Sequence, residues 1–250
     1  MDRFTEFAGR SAFVTGAGTG IGAAVARELA LRGAAVAIFG RRAPLLEETA
    51  GAIRADGGKV LVIAGDVANA ENVERAIRRA VAEFGGLNFA VNNAGIDGGT
   101  QKLAAMSVAS WHETIGTNLS GVFFGLKYQI PAILASGGGA IVNVSSVFSD
   151  RGLSQHAAYT ASKHGVHGLT RAAAHDYAAE NIRINELLPG VIDTPMLDTN
   201  RGMADQMAAF IPQRRLGQPS EVAQAVCFLL GDGASYMTGA RVAVDGGFLI

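Results

Sequence analysis

The chain has 250 residues, 49 % of them hydrophobic and 17 % charged, with a net charge of −1. This composition is typical of a globular protein with an ample core, and the lack of a basic excess argues against a nucleic-acid partner. The apolar runs are too short to span a membrane, and residues 1–10 lack a signal-peptide pattern. We therefore expect a cytoplasmic protein. The single cysteine, Cys227, is expected to be a buried thiol, and five histidines without ligand-like spacing predict no metal centre.

Short apolar strands alternate with helical segments along the chain, without a linker or a repeat. Helices are expected at residues 44–55, 71–84, 108–134 (interrupted near Pro131), 157–175 and 221–230, the last of them capped by Ser220. Strands are predicted at residues 11–15, 35–39, 60–63, 87–91, 140–144, 182–188 and 241–244. This alternation predicts a single α/β domain, a doubly wound, parallel, seven-stranded sheet with helices on both faces. Ligands should then bind outside the carboxyl ends of the strands.

A glycine-rich turn follows the first strand and precedes a helix. It runs from Gly16 through Thr19, Gly20 and Ile21 to Gly22. In this context backbone N–H groups and the helix N-terminus can face a phosphate, and glycine allows the close approach. A tight strand-to-helix turn needs glycine in any case, so the turn by itself leaves both interpretations open.

The second strand ends in Gly40, Arg41 and Arg42. An acidic residue at this point would bind the adenosine ribose of NAD, whereas a guanidinium suits a 2′-phosphate. The pattern favours NADP over NAD, with a solvated basic turn as the alternative.

Polar and small residues follow the third and fourth strands. Asp66, before Val67, could bind an adenine amino group or cap the next helix, and both fit the sequence. The run Asn92-Asn93-Ala94-Gly95 leaves room for a ligand beside the end of the fourth strand.

Tyr159 and Lys163 lie four residues apart in a predicted helix, so their side chains share one face. A nearby ammonium favours the phenolate, and bringing the phenol to a pKa of about 7 takes roughly 4 kcal/mol. Ser146, thirteen residues upstream, could hold a carbonyl oxygen while Tyr159 protonates it. A Tyr and a Lys on a solvated helix surface are the alternative for this pair alone.

The segment from about residue 196 to 214 is rich in methionine. Its apolar residues are Met196, Leu197, Met203, Met207 and Phe210. Flexible methionines suit a lid over a substrate, and an ordinary amphipathic helix packed on the core would show the same pattern.

Taken together, the motifs resemble those of the short-chain dehydrogenase/reductase family, from about Ala8 to the C-terminus. They are Thr15-Gly16-x-x-x-Gly20-Ile21-Gly22, Asp66-Val67, Asn92-Asn93-Ala94-Gly95, Asn118, Ser145-Ser146, Tyr159-x-x-x-Lys163 and Pro189-Gly190. The resemblance implies a Rossmann-type fold and hydride transfer between a nicotinamide and a carbonyl or secondary alcohol.

The resemblance also implies residue roles. Tyr159 would be the general acid/base, Lys163 would lower its pKa and bind the nicotinamide ribose, and Ser146 would hold the substrate oxygen. Asn118 would organise a water-linked proton relay to Lys163. The cofactor-binding set would be Gly16, Thr19, Gly20, Ile21, Gly22, Arg41, Arg42, Asp66, Val67, Asn93, Ala94, Gly95, Tyr159, Lys163, Pro189, Gly190, Ile192 and Thr194.

Two positions depart from the family pattern. Thr19 stands where many NADP-using relatives carry Lys or Arg, so NADP binding depends on Arg41 and Arg42. Glu186 stands where relatives more often have a small residue, and no role is assigned to it. The resemblance further implies a homotetramer, or less often a dimer. It leaves open 3-oxoacyl carrier-protein reduction and the reduction of small or cyclic ketones, sugars or steroids. A non-catalytic nucleotide-binding protein is the alternative from another class.

Overall fold

One parallel sheet forms the centre of the molecule. The computed structural model describes residues 5–250, and for 198–201 and 203–205 only the backbone is described. Within this part of the chain, seven strands pair in the order β3-β2-β1-β4-β5-β6-β7. They are β1 Ser11–Thr15, β2 Ala35–Gly40, β3 Val60–Ala64, β4 Phe89–Asn92, β5 Gly139–Val144, β6 Ile182–Pro189 and β7 Arg241–Val244. The doubly wound, seven-stranded prediction is confirmed.

The described residues form eight α-helices, six of which cover the two faces of the sheet. They are α1 Gly20–Leu31, α2 Ala43–Ala55, α3 Ala70–Phe84, α4 Val108–Ile115, α5 Gly121–Ala135, α6 Ala157–Tyr177, α7 Arg201–Ala208 and α8 Pro219–Leu230. Helices α1, α2 and α8 bury their apolar stripes on one face of the sheet, and α3, α5 and α6 on the other. Cys227 is buried in the first of these two cores, as expected.

The helix expected over residues 108–134 is interrupted elsewhere than predicted. The break is a π-helical turn at Gly116–Ser120, whereas Pro131 lies inside α5. Close packing fixes α5 after the break, because a Cβ on Gly125 would lie 2.4 Å from Asn92 Oδ1. The proline removes one backbone bond of α5, and the buried Ile130 and Ile133 hold the helix on both sides of Pro131.

One predicted helix cap, Ser220, is wrong, and Asp66, for which capping was one of two alternatives, does not cap α3. The N-cap of α3 is Asn69, whose side chain accepts a hydrogen bond from the Asn72 backbone. The N-cap of α8 is Gln218, which forms a capping box with Glu221, so Ser220 lies inside the helix. Proline is favoured at the first helical position, and Pro219 therefore sets the cap one residue before itself. In the described part of the chain no helix is both long and apolar enough to cross a membrane.

The strand order reverses between β1 and β4. The chain runs from β1 outwards to β3 on one side, then returns to β4 beside β1 and continues to β7. The loops that follow β1 and β4 therefore diverge and leave a crevice at the carboxyl ends of the strands, where ligands bind in such sheets.

Candidate active site

Two adjoining cavities open at the carboxyl ends of the strands. We call the first the glycine-lined cleft. Its lining includes Gly16, Gly18, Thr19, Gly20, Ile21, Arg41, Arg42, Asp66, Val67, Asn93, Ala94, Gly95, Asp97, Thr117 and Thr194. We call the second the apolar pocket. Its lining includes Asp97, Ser146, Phe148, Leu153, His156, Tyr159, Lys163, Pro189, Gly190, Val191, Ile192, Thr194, Met196, Leu197 and Met207.

The turn after β1 is built for a close ligand. Gly16 has a φ of +66°, and a Cβ there would lie 2.8 Å from Ala94 Cα. The Thr19 hydroxyl, at the N-cap of α1, accepts a bond from Arg42 Nη2 at 3.3 Å and does not cap the helix. The first N–H groups of α1 are thus left for a ligand. This arrangement fits the pyrophosphate of a dinucleotide.

Gly22 has a different position from the other glycines of the turn. It is buried in α1, and a Cβ there would lie 2.4 Å from the Gly16 carbonyl oxygen and 2.5 Å from Asn93 Nδ2. It lies beneath the glycine-lined cleft and allows α1 to pack against the turn. Gly22 therefore supports cofactor binding indirectly, because it sets the shape of the turn.

Threonine and asparagine side chains join the ends of β1 and β4. Thr15 Oγ1 accepts bonds from the backbone N–H groups of Asn93 and Ala94 at 2.9 and 3.0 Å. Asn93 Nδ2 donates to the Thr15 carbonyl at 3.0 Å. These bonds fix the floor of the cleft, so Thr15 is a structural member of the site in addition to the predicted residues.

The far end of the glycine-lined cleft is basic. Arg41 and Arg42 are exposed there, directly after β2. Asp66 also lines the cleft, and its Oδ1 accepts a bond from the Ala68 backbone at 3.0 Å. With Asn69 as the helix cap, the capping interpretation of Asp66 is excluded, and the adenine-binding interpretation remains.

Ser146, Tyr159 and Lys163 come together in the apolar pocket, with Lys163 beside Gly95, which lines both cavities. The Ser146 hydroxyl lowers the pKa of Tyr159 through a side-chain hydrogen bond. Lys163 is buried, its Nζ donates to the Val144 carbonyl at 3.0 Å, and it lies 5.7 Å from the centroid of the Tyr159 ring. Ser145 Oγ donates to the Lys163 carbonyl at 3.2 Å, so this hydroxyl is turned towards α6. The choice of Ser146 over Ser145 agrees with this geometry.

The expected lowering of the pKa of Tyr159 is not found in the chain itself. Burial raises this pKa above its ordinary value, the bond with Ser146 lowers it, and the charge of Asp97 raises it. Burial lowers the pKa of Lys163 to about 8, while the charge of Glu186 acts in the opposite direction. The lysine is therefore less effective as a fixed cation, and the protein alone keeps the phenol protonated at neutral pH.

Asn118 lies in the π-helical turn and is fully buried. Its Nδ2 donates to the Ile96 carbonyl at 2.9 Å and to Ser162 Oγ at 3.1 Å, and its Oδ1 accepts from the Ile96 N–H at 2.8 Å. A Cβ on Gly95 would lie 3.3 Å from Asn118 Oδ1 and 3.7 Å from Lys163 Nζ. Asn118 thus ties the loop after β4 to α6 beside the lysine.

The segment after β6 contributes two walls. Thr194 contacts the glycine turn, because a Cβ on Gly20 would lie 3.1 Å from Thr194 Cγ2. Met196, Leu197 and Met207 line the apolar pocket. Phe210 does not, since its side chain is 82 % exposed. It follows the end of α7 and points away from the pocket. The side chain of Met203 lies outside the described residues.

Two titratable lining residues are not predicted from the sequence, Asp97 and His156. Asp97 follows the Asn92–Gly95 run and lines both cavities. His156 is buried, its Nδ1 lies 2.9 Å from the Ser154 carbonyl, and its Nε2 lies 3.3 Å from Thr100 Oγ1. The position of Asp97, just beyond the carboxyl end of a central strand, was the available signal.

Comparison with known proteins identifies the class. A family model described as enoyl-(acyl carrier protein) reductase matches residues 16–249. With this match and the fold and motifs above, the chain belongs to the short-chain dehydrogenase/reductase family. It is an oxidoreductase of alcohol and ketone groups, and the family uses nicotinamide cofactors.

Individual relatives are similar over nearly their whole length. Cyclohexanol dehydrogenase of Acinetobacter sp. (strain SE19) is 42 % identical over 97 % of this chain and 96 % of its own. Cis-4-hydroxycyclohexanecarboxylate dehydrogenase of Sinomonas cyclohexanicum is 45 % identical over 97 % of each chain. The crystal structure of levodione reductase superposes with a TM-score of 0.93 at 35 % identity, over 96 % of this chain and 98 % of that one.

Proposed function

We propose that this chain is an NADP(H)-dependent dehydrogenase/reductase of six-membered carbocyclic alcohols and ketones, with Tyr159 as general acid/base. The observation that carries the proposal is the grouping of Ser146, Tyr159 and the buried Lys163 in the apolar pocket that adjoins the glycine-lined cleft. Two of the relatives named above act on a cyclohexane ring bearing a hydroxyl. The apolar walls of Val191, Ile192 and Leu197 suit such a ring.

The side chains divide the proton chemistry between them. In reduction, Ser146 donates a hydrogen bond to the carbonyl oxygen and Tyr159 transfers its proton to the same oxygen. The raised pKa of Tyr159 keeps the phenol protonated for this step. In oxidation the proton moves back from the alcohol to Tyr159, and the Lys163 ammonium favours the phenolate that must form first. When bound, the nicotinamide supplies the hydride or accepts it.

Other residues hold the reactants and support the catalytic pair. The Val144 carbonyl positions Lys163. Asn118, which joins the loop after β4 to α6, is proposed to take part in the proton relay to solvent. Pro189, Gly190, Ile192 and Thr194 border the pocket on the side of the glycine turn and are proposed to contact the nicotinamide end.

The basic end of the glycine-lined cleft supports NADP over NAD. Arg41 and Arg42 stand directly after β2, where a carboxylate would select the ribose hydroxyls of NAD. Both side chains are exposed at the cleft, and Arg42 already donates a hydrogen bond to Thr19. A guanidinium binds a phosphate through two parallel hydrogen bonds. Arg41 is therefore the proposed ligand of the 2′-phosphate.

A single catalytic domain with a lid over residues 196–214 and a homotetrameric assembly complete the proposal. Exposed apolar side chains on α5, on α8 and near the C-terminus, namely Phe123, Phe228 and Tyr236, support burial between subunits. Light scattering should give a mass near four times 25.8 kDa, and a monomer would contradict the assembly.

Initial rates with NADPH and with NADH test the function directly. The carbonyl panel comprises cyclohexanone, an aryl ketone, an acetoacetyl thioester and a sugar. We expect NADPH oxidation with cyclohexanone as the preferred substrate. A preference for NADH would overturn the role of Arg41, and a response to the thioester alone would overturn the ring substrate.

A further inference from the structure

An acidic side chain lines the otherwise mostly apolar pocket. Asp97 is half-buried, and its Oδ1 accepts a bond from the Gly99 N–H at 3.3 Å. It lies at the border of the two cavities, within electrostatic reach of Tyr159. The carboxylate has lone pairs beyond that single long bond, and it faces the space in which a substrate must lie.

The charge of Asp97 opposes the catalysis of alcohol oxidation. A negative charge near Tyr159 disfavours the phenolate, and this effect raises the pKa of Tyr159. A neutral residue of the same size would avoid this penalty. The effect of Asp97 on the pKa of Tyr159 therefore does not explain why a carboxylate is present here. Binding of a substrate group explains it better.

The remaining polar groups of the pocket do not favour an anionic substrate. Lys163 is the positively charged side chain among the described lining residues, and its Nζ already donates to Val144. His156 Nδ1 lies 2.9 Å from the Ser154 carbonyl and Nε2 lies 3.3 Å from Thr100 Oγ1. Both ring nitrogens therefore already have partners within the protein.

We propose that Asp97 is a specificity-determining residue that binds a second hydroxyl on the carbocyclic substrate and excludes a carboxylate there. This inference rests on the proposed function and goes beyond it by naming the second functional group of the ring. A hydroxyl donates to an ionised carboxylate in a strong, charge-assisted hydrogen bond, whereas a substrate carboxylate would be repelled. The preferred substrates are therefore hydroxycyclohexanones and the corresponding diols.

The test compares rings that differ in one substituent. We would measure kcat/KM with NADPH at pH 7 for cyclohexanone, for 3- and 4-hydroxycyclohexanone, and for 3- and 4-oxocyclohexanecarboxylate. For the wild-type enzyme we expect one hydroxyketone to exceed cyclohexanone by about tenfold, and both oxocarboxylates to fall below it by about tenfold or more. An oxocarboxylate equal to or better than cyclohexanone would overturn the proposal without any variant.

Asp97→Asn keeps the size of the side chain and removes its charge. It should lose most of the preference for the hydroxyketone and gain about tenfold on the oxocarboxylates, with an unchanged dissociation constant for NADPH. Asp176→Asn, an exposed position near the end of α6, is the matched control and should leave both ratios unchanged.

The contrary outcomes are distinct from one another. Weaker NADPH binding by Asp97→Asn with unchanged ring selectivity would show that Asp97 serves the cofactor. No turnover of any carbocyclic ketone, with turnover of another ketone class, would overturn the proposed function itself and this inference with it.

Discussion

The glycine-lined cleft and the apolar pocket lie side by side, yet they are built differently. The cleft is shaped mostly by backbone: Gly16 approaches Ala94, Gly22 packs beneath the turn, and Thr15 ties β1 to β4. The pocket is shaped by side chains from separate segments, among them Phe148, Leu153 and Met207. A backbone cradle recognises the part that all dinucleotides share, whereas side chains set the fit to one substrate. Variants should therefore separate the two cavities.

Lys163 belongs to the boundary between the two cavities, and its replacement should have the largest effect. Lys163→Met removes the cation that favours the phenolate, so kcat should fall by about a thousandfold. The same change should stabilise the fold at pH 7, because the buried ammonium has a pKa of about 8 instead of 10.5. The gain is on the order of 1–3 kcal/mol, since each pKa unit corresponds to about 1.4 kcal/mol.

The sign of this effect gives its pH dependence. Between about pH 8 and 10.5 the unfolded chain binds more protons at Lys163 than the folded chain. The destabilisation by Lys163 is therefore complete below pH 8 and disappears as the pH rises towards 10.5. Melting temperatures at pH 7 and pH 10 should show the advantage of Lys163→Met shrinking. Lys127→Met, on the exposed face of α5, is the control, and a lower melting temperature of Lys163→Met at pH 7 would contradict the account.

Arg41→Ala should act on the cleft alone. Loss of charge-assisted bonds to the 2′-phosphate is expected to weaken NADPH binding by about 10- to 100-fold, with little change for NADH. Fluorescence titration with both cofactors measures the difference. Arg42→Ala should give a smaller loss, because Arg42 already donates to Thr19. Equal losses of affinity for NADPH and NADH would contradict a contact between Arg41 and the 2′-phosphate.

Gly22→Ala tests the backbone cradle against a matched glycine. Its Cβ would lie 2.4 Å from the Gly16 oxygen, so the turn must shift, and we expect about tenfold weaker NADPH binding. Gly51→Ala, in α2 with open space around it, should instead stabilise the protein by about 0.5–1 kcal/mol. Titration and thermal melts of both variants check this contrast. Normal cofactor affinity in Gly22→Ala would show that the cleft tolerates a shifted turn.

The smallest effect is expected from the wall of the apolar pocket. Met207→Ala should change the ranking of ketones by a few-fold and leave NADPH binding unaltered, because Met207 lines the pocket only. Phe210→Ala, three residues later and 82 % exposed, should leave the ranking unchanged. The kcat/KM values for a series of ring sizes provide the measurement. If Phe210→Ala changed the ranking of ketones as much as Met207→Ala does, Phe210 would have to contact the substrate as part of the lid.

The same contrast explains what could be predicted from the sequence. Strand ends, the glycine turn and the spacing of Tyr159 and Lys163 are local patterns, and they were placed correctly to within about two residues. The π-helical turn around Asn118 and the cap at Gln218 depend on packing and on competition between neighbouring residues, so periodicity missed them. The position of Asp97 in the pocket lining and the exposure of Phe210 depend on tertiary contacts between segments that are far apart in the sequence.

The buried Glu186 shows the same limit. Its Oε2 accepts from His167 Nδ1 at 2.8 Å and from Arg241 Nε at 3.1 Å, partners that lie 19 and 55 residues away. The sequence marked Glu186 as unusual, but it could not show the two partners that allow a carboxylate to be fully buried.

The most direct test is to measure cofactor binding and turnover of the Tyr159→Phe variant together. Titration with NADPH and turnover of cyclohexanone should be followed on the same preparation. The account predicts a dissociation constant for NADPH within about twofold of wild type, together with a loss in kcat of about a thousandfold, because only the proton donor is removed. Turnover close to wild type would contradict the assignment of Tyr159, and a parallel loss of NADPH binding would contradict the separation of the two cavities.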